Sequence, residues 1–153
     1  MSETLVRTVE LRKVYENGNV EALRGVNFEA KRGEYVAIMG PSGSGKTTML
    51  NLIGALDYPT SGEIWINGVL INSRTNLDVI RRKHVGFIFQ LHNLIPVLTA
   101  IENVEIPMYA LGIPRAQRRE RALELLELCK VGHRAYARSI HLSGGERQRV
   151  AVA

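Results

Sequence analysis

A glycine-rich stretch, GPSGSGKTT at residues 40–48, carries residue types and a spacing that could hold a phosphate group. Gly40, Gly45, Lys46 and Thr47 occupy the fixed positions of the pattern G-x-x-x-x-G-K-[ST], between an apolar run and a helical pattern. Glycine costs conformational entropy when it is fixed in a fold, so a stretch this rich in glycine requires a compensating interaction. Phosphate binding supplies one.

The residues of this loop are expected to divide the work of holding a nucleotide. Because Gly43 and Gly45 lack Cβ atoms, the backbone can approach phosphate oxygens closely and present its amides as a nest of donors. The following helix directs its positive N-terminus at the same anion. Lys46 is expected to contact the β- and γ-phosphates, and the Thr47 hydroxyl to bind Mg²⁺. The candidate loop residues are Gly40, Pro41, Ser42, Gly43, Ser44, Gly45, Lys46, Thr47 and Thr48.

A second glycine-containing stretch, LSGGERQRVAVA, lies at residues 142–153. Ser143 and Glu146 are three residues apart, which is the spacing of a capping box and predicts that a helix starts at the serine. Two glycines are poor helix formers in a first turn. They leave bare amides beside a serine hydroxyl, which makes this helix start a candidate anion-binding surface. Taken alone, the stretch fits a simple capped helix start equally well.

The hydrophobic pattern predicts a mixed α/β region followed by a helical region. Residues 5–15 and 20–30 alternate as strands do, with ENGN as the hairpin turn between them. EYVAIM and VGFIFQ are nearly continuous apolar runs, typical of parallel strands that are covered on both faces. KTTMLNLIGAL is predicted as a helix after the glycine-rich loop, and EIWING as a further strand and turn.

The helical region is expected to begin near Thr99. TAIE forms a capping box with Thr99 as its first residue. Gly112 is expected to close that helix and Pro114 to open the next one, whose apolar stripe includes Cys129. We therefore expect one domain over residues 1–153, with an α/β core at 1–95 and a helical part at 96–153.

Composition limits the classes of protein to consider. A chain of 153 residues with 45% hydrophobic and 23% charged residues fits one ordinary globular domain. The single cysteine suits a reducing compartment, and neither a signal peptide nor a membrane-spanning apolar run is visible. The net charge of +5 comes partly from two basic clusters, PRAQRRER (114–121) and IRRKH (80–84), which have no interleaved aromatic residues, so no nucleic acid partner is expected. His84, His92, His133 and His141 have no metal-ligand spacing.

Three motifs in their order along the chain resemble the ATP-binding-cassette (ABC) ATPases, the nucleotide-binding subunits of membrane transporters. They are GPSGSGKT, Gln90 at the end of VGFIFQ, and LSGGERQ, with a helical segment between the last two. The resemblance extends from about Val6 to Ala153 and looks closest to the subgroup that serves lipoprotein release and macrolide export. It implies an α/β fold of the P-loop NTPase type, with an ABC-ATPase core, an antiparallel β subdomain and a helical subdomain, incomplete at the C-terminus.

The resemblance also implies roles for individual residues. Tyr15 matches the aromatic residue that stacks on adenine, although a strand tyrosine also commonly fills a core. Gln90 matches the glutamine that contacts Mg²⁺ and senses the transmembrane partner, and it is a candidate catalytic residue together with Lys46. In the family, one segment contacts the γ-phosphate that is bound to the opposite subunit. The matching residues here are Ser143, Gly144, Gly145 and Glu146.

The implied protein binds ATP and Mg²⁺ and works with partners. A homodimer of the complete protein would enclose ATP between two chains, and a transmembrane transporter subunit would hold the protein at the inner face of the cell membrane, in the cytoplasm. Substrate choice would belong to that membrane partner. Glu146 stands where many relatives have glutamine, a replacement common enough to leave these expectations unchanged.

The resemblance further implies catalytic groups beyond the signature stretch: an aspartate that holds Mg²⁺ through water, a glutamate that polarises the attacking water, and a histidine that contacts the γ-phosphate. Since the sequence ends at Ala153, we expect the full gene product to hydrolyse ATP and this segment to bind it weakly at most. Two other functions stay open. One is a soluble ABC-type ATPase acting on DNA or ribosomes, and the other is a non-catalytic, truncated ATP-binding fragment.

Overall fold

The computed structural model describes residues 3–15 and 20–153. It divides into two compact units, Met1–Phe87 and Ile88–Ala153, so the division falls earlier in the chain than the predicted one at residue 95. The predicted hairpin turn ENGN lies outside the described residues.

The first unit contains a four-stranded antiparallel sheet. Its strands are β1 (Thr4–Tyr15), β2 (Val20–Lys31), β3 (Ser61–Ile66) and β4 (Val69–Leu70), in the spatial order β2-β1-β3-β4. The long first strand pairs with β2 along one edge and with β3 along the other. The predicted strands at 5–15, 20–30 and EIWING are confirmed.

Helices α1 (Lys46–Ile53) and α2 (Leu77–His84) belong to this unit. Helix α1, which was predicted, buries Met49 and Leu52 in the same apolar core as β1 to β3. The core is formed by Leu11, Leu23, Met49, Leu52, Ala55, Ile64, Ile66, Ile71, Leu77 and Ile80. This packing fixes α1, and with it the end of the glycine-rich loop, against the sheet.

Helix α2 was not predicted from the sequence, in which its basic last turn forms part of the charge cluster at 80–84. Asn76 caps it, because the Asn76 side-chain oxygen accepts hydrogen bonds from the amides of Asp78 at 3.0 Å and Val79 at 3.3 Å. Leu77 and Ile80, three residues apart, bury the apolar side of the helix. An asparagine cap followed by this spacing was the available signal.

The strands predicted for EYVAIM and VGFIFQ are not formed. Within the described residues the sheet consists of β1 to β4, and neither apolar run belongs to it. Tyr35 is 97% exposed and Met39 86% exposed. Strands are defined by ladder hydrogen bonds to neighbours, whereas apolar composition shows only that a segment could be buried on both faces. These two predictions were therefore wrong.

The second unit is helical, as predicted. It contains α3 (Ala100–Tyr109), α4 (Arg115–Leu128) and α5 (Gly144–Val152), with single 3-10 turns at Gly132–Arg134 and Ser139–His141. Its core includes Ala100, Ile101, Val104, Met108, Ala122, Leu126, Val131, Ala135, Leu142 and Val150. Cys129 is half-buried against this core at the end of α4, consistent with the predicted apolar stripe.

The start of α3 confirms the predicted capping box. The Thr99 hydroxyl accepts from the Glu102 amide at 3.4 Å, and the Glu102 carboxylate accepts from the Thr99 amide at 2.8 Å and from its hydroxyl at 2.6 Å. These bonds stabilise the ionised carboxylate, with the side-chain bond from Thr99 the largest cause, so the pKa of Glu102 is lowered.

Candidate functional site

The glycine-rich loop before α1 has a backbone that glycine is required to form. Gly43 and Gly45 have φ angles of 80° and 85°, in the left-handed region. A Cβ at position 45 would lie 2.4 Å from the Ala22 oxygen and 2.9 Å from Leu23 Cδ2. At Gly43 nothing lies within 4 Å of such an atom, so only the backbone angle favours glycine there. The loop is therefore held tightly against β2 at Gly45 and open to solvent at Gly43.

The N-terminus of α1 has no side-chain cap. Gly45 is its N-cap residue, no side chain bonds to the first-turn amides, and no acidic residue lies in that turn. The first amides of a helix have no partner inside the helix and carry the positive end of its dipole. Helix α1 therefore presents uncapped donors and uncompensated positive potential, which suit an anion.

Lys46, the first residue of α1, turns its ammonium back over the loop. Its Nζ donates to the Gly40 oxygen at 2.9 Å and to the Pro41 oxygen at 2.7 Å, and lies 3.5 Å from Ser44 Oγ. Thr47, the next residue, is exposed. The positive charge of Lys46 and the exposed residue Thr47, which carries a hydroxyl, thus lie beside the backbone donors of one loop.

Tyr15 lies at the end of β1 and is 38% exposed. The Lys13 ammonium is 5.1 Å from the centroid of its ring. Lys13 was not singled out from the sequence. Its position two residues before Tyr15 indicates only that the two side chains share a face of the strand, and it says nothing of the partners that hold Lys13.

In the second unit, Gln90 is exposed and lines a cavity of about 330 Å³. The backbone next to it turns sharply, with φ angles of 64° at His92 and 51° at Asn93. The cavity brings this turn together with the start of α5, and it is lined by Gln90, Leu91, His92, Leu94, Pro96, Ser139, Ile140 and Arg147.

The second glycine motif forms the predicted capped helix start. Ser143 is the N-cap of α5: its hydroxyl accepts from the Glu146 amide at 3.3 Å, and its own amide donates to the Glu146 carboxylate at 2.7 Å. The other carboxylate oxygen lies 3.2 Å from Arg134 Nε. The backbone bond from Ser143 is the largest cause that lowers the pKa of Glu146, followed by its side-chain bond. Gly144 and Gly145 are exposed beside this cap.

The loop residues Gly40 to Thr48 and Tyr15 lie in the first unit, and Gln90 and the segment Ser143 to Glu146 lie in the second. Among residues 3–15 and 20–153, no group of three histidine, cysteine, aspartate or glutamate side chains is placed to hold a metal ion. A Mg²⁺ ion bound largely by phosphates and water needs only one or two protein groups, so this is compatible with the Thr47 hydroxyl as a ligand. In the same described ranges, no helix is long and apolar enough to cross a membrane.

Comparison with known proteins gives consistent matches. Residues 23–153 match the family described as ABC transporter. An uncharacterized ABC transporter ATP-binding protein of Thermotoga maritima is 49% identical, over 97% of this chain and 65% of its own length. The lipoprotein-releasing system ATP-binding protein LolD of Saccharophagus degradans is 41% identical, over 100% of this chain and 69% of its own. The macrolide export ATP-binding/permease protein MacB of Brucella melitensis is 45% identical, over 97% and 24%.

A solved structure also matches. The ATP-binding cassette MJ0796, in a dimeric post-hydrolysis state bound to ADP and Pi, has a TM-score of 0.88 and 46% identity, over 97% of this chain and 67% of that one. The sequence of that name comes from Methanocaldococcus jannaschii. The chain spans about two thirds of the length of the Thermotoga protein, LolD and MJ0796.

Proposed function

This chain belongs to the ABC transporter family, and on that basis we propose that it binds Mg-ATP as the ATP-binding part of a transporter whose whole protein hydrolyses ATP. The hydrolysis would power transport or extraction of a substrate by a membrane partner. Two similar proteins are named for lipoprotein release and macrolide export, which supports transport or extraction as the function.

The observation that carries the proposal is the uncapped start of α1 beside Lys46. A phosphate chain is the ligand that these groups fit, because several aligned amides, a helix N-terminus and an ammonium converge on one loop that only glycine can form. Gly40 to Thr48 would hold the phosphates, Lys46 would neutralise their charge, and Thr47 would bind Mg²⁺ together with them. Bound Mg²⁺ would supply charge neutralisation during phosphoryl transfer.

The other site residues enter as parts of the same proposal. Tyr15 would stack on the adenine ring with its exposed side chain. Gln90 would contact Mg²⁺ and take part in catalysis, and the cavity beside it is a place where a transmembrane subunit could dock. Ser143, Gly144, Gly145 and Glu146 would contact the nucleotide of a second copy. The dimeric solved structure of a similar cassette supports this homodimer.

The basic cluster on α4 does not favour the alternative in which the protein acts on DNA or ribosomes. On α4, Arg118 stacks on the Tyr109 ring at 3.9 Å, and Arg121 pairs with Glu124 at 2.9 Å. Each of these two guanidinium groups has an aromatic or acidic partner within the helical unit. We propose a cytoplasmic protein attached to the inner face of the membrane by its transporter partner, without nucleic acid.

Calorimetric titration of the purified protein with ATP tests the nucleotide site. We expect saturable binding that requires Mg²⁺. In Lys46→Ala the affinity should fall about tenfold to a hundredfold, because a charged hydrogen-bond donor is lost. Lys31→Ala, which removes an exposed lysine at the end of β2, is the matched control. Wild-type protein without magnesium-dependent affinity for adenine nucleotides would refute the proposal.

Co-purification from native membranes tests the partner. An integral membrane subunit that remains with the protein through purification would support the transporter assignment. Ribosomal RNA or DNA in its place would support the alternative.

A further inference from the structure

We propose that Lys13 is a positioning residue that sets the ring of Tyr15 for stacking on the adenine of the bound nucleotide. The inference rests on the proposed ATP binding and adds a residue to it. It is carried by three contacts of one lysine within the first unit: an ion pair, a bond to a backbone carbonyl, and a contact with the aromatic ring.

The Lys13 side chain is held in one place. Its Nζ donates to Asp57 Oδ1 and to the Tyr58 carbonyl oxygen, each at 2.8 Å. Only 12% of the side chain is exposed. The Asp57 carboxylate is itself fixed, because the same oxygen accepts from the Tyr58 amide at 2.7 Å. An ammonium with two strong acceptors on a largely buried stem has little freedom to leave this position.

From this position the ammonium lies over the ring of Tyr15, at 5.1 Å from its centroid. A cation over an aromatic face is attracted by the ring quadrupole, which fixes the ring relative to the cation. Because Lys13 covers one face of the Tyr15 ring, the opposite face remains for a planar base to stack on. Base–aromatic stacking depends on this parallel approach, so ring orientation affects affinity.

The same contacts link the tyrosine to the phosphate-binding helix. Asp57 and Tyr58 follow shortly after the end of α1 at Ile53. This segment is also bonded along β1, since the Val14 amide donates to Thr60 Oγ1 at 3.0 Å and the Thr60 amide to the Arg12 oxygen at 2.9 Å. Lys13 is thus one side-chain connection between the strand that carries the proposed adenine contact and the segment that follows the helix with the proposed phosphate contacts.

A purely structural ion pair is the competing explanation, and ligand choice separates the two. Tripolyphosphate has the phosphates of ATP but no base, so it reports on the loop alone. A residue that acts through the ring should change the affinity for Mg-ATP and leave that for magnesium tripolyphosphate unchanged. A residue that only stabilises the unit should change both affinities or neither.

The experiment measures both ligands by calorimetry on purified wild-type protein and on Lys13→Met, Lys13→Arg and Asp57→Asn. We expect ATP binding to weaken about threefold in Lys13→Met, as loss of a cation–π contact implies, and by less in Asp57→Asn, which keeps the ammonium, with tripolyphosphate binding unchanged in both. Lys13→Arg keeps the cation and should recover part of the loss. Lys31→Met is the control for removing an exposed lysine of the same sheet.

A double-mutant cycle gives the decisive result. In a Tyr15→Ala background, Lys13→Met should have no further effect on ATP affinity, since its action runs through the ring. An equal loss in both backgrounds, an equal loss for ATP and tripolyphosphate, or no loss in Lys13→Met would overturn the inference. If wild-type protein binds neither ligand, the proposed function itself fails, and the inference fails with it.

Discussion

Helices α1 and α5 both begin at glycine-containing motifs, but they differ in how their unpaired first-turn amides are treated. Helix α1 begins at Gly45 without a side-chain cap and without an acidic residue in its first turn. Helix α5 begins at Ser143 with both hydrogen bonds of a capping box and with Glu146 in its first turn. The first leaves its donors for a ligand, whereas the second partly satisfies them within the chain.

The difference indicates how each could contribute to nucleotide binding. At α5 the Ser143 side chain is already bonded to Glu146, but the first-turn amides of the exposed Gly144 and Gly145 have no partner inside the helix. The carboxylate of Glu146 also offsets the positive end of the helix. We therefore expect α1 to hold phosphate by itself and α5 to add a few donors to a phosphate that is already held. This agrees with the proposal that α5 acts on the nucleotide of a second copy.

The largest expected effect comes from adding a side chain to the glycine-rich loop before α1. In Gly45→Ala the new Cβ meets the Ala22 carbonyl and the backbone angle is unfavourable, so the loop must move. We expect unfolding free energy to fall by about 2–4 kcal/mol. Affinity for Mg-ATP should fall about a hundredfold, because loss of two charge-assisted amide bonds costs this much. Denaturant unfolding and calorimetry measure the two quantities.

Gly43→Ala is the matched control for that substitution. The site has open space, so only the backbone strain remains, about 1–2 kcal/mol. Equal losses of ATP affinity in the two variants would show that the contact between Gly45 and β2 does not shape the glycine-rich loop.

A second variant gives α1 the acidic first turn of α5. Thr48 occupies the position in α1 that Glu146 occupies in α5, three residues after the N-cap. In Thr48→Glu, affinity for Mg-ATP should fall about tenfold through repulsion of the phosphates. Thr48→Gln has nearly the same shape without the charge and should stay within about threefold of wild type. If the two variants bind ATP equally, charge at the start of α1 does not govern the site.

The two motifs also show what the sequence could and could not predict. Local patterns were sufficient where neighbours along the chain decide the structure, as in the capping boxes at Thr99 and Ser143 and in the alternating strands β1 and β2. The glycine loop before α1 was likewise predictable, because its positive φ angles exclude most other residues.

Features that depend on distant partners were not predictable. EYVAIM and VGFIFQ have strand composition, yet they do not join the sheet of the described residues, since composition does not specify hydrogen-bonding neighbours. Lys13 gave no signal by itself, because its partner Asp57 lies on another segment brought close only by folding. The sequence shows only that no capping side chain directly precedes α1. The structure adds that the Lys46 ammonium bonds to loop carbonyls beside this uncapped helix start.

A smaller effect is expected from removing the cap of α5. Ser143→Ala should lower the free energy of unfolding by about 1 kcal/mol, the usual cost of losing a serine cap. Affinity of a single chain for Mg-ATP should stay unchanged, because in the proposed function α1 supplies the phosphate donors. Ser73→Ala, at an exposed serine outside the helices, controls for the substitution itself. A clear fall in single-chain affinity for ATP would contradict the division of roles between the two helices.

The smallest expected effect is a pH dependence that α5 should have and α1 should not. The pKa of Glu146 is lowered in the folded protein, first by the backbone bond from Ser143, so its ionised form stabilises the fold. That contribution is present above the ordinary glutamate value of 4.5 and is lost as pH falls from there through the lowered value. Amide hydrogen exchange near Gly144 should therefore accelerate relative to exchange in α1 as pH falls below about 4.5, after correction for intrinsic rates. Glu146→Gln keeps both capping bonds and should remove this difference, whereas an unchanged acid response in that variant would assign it to other carboxylates, such as Glu102.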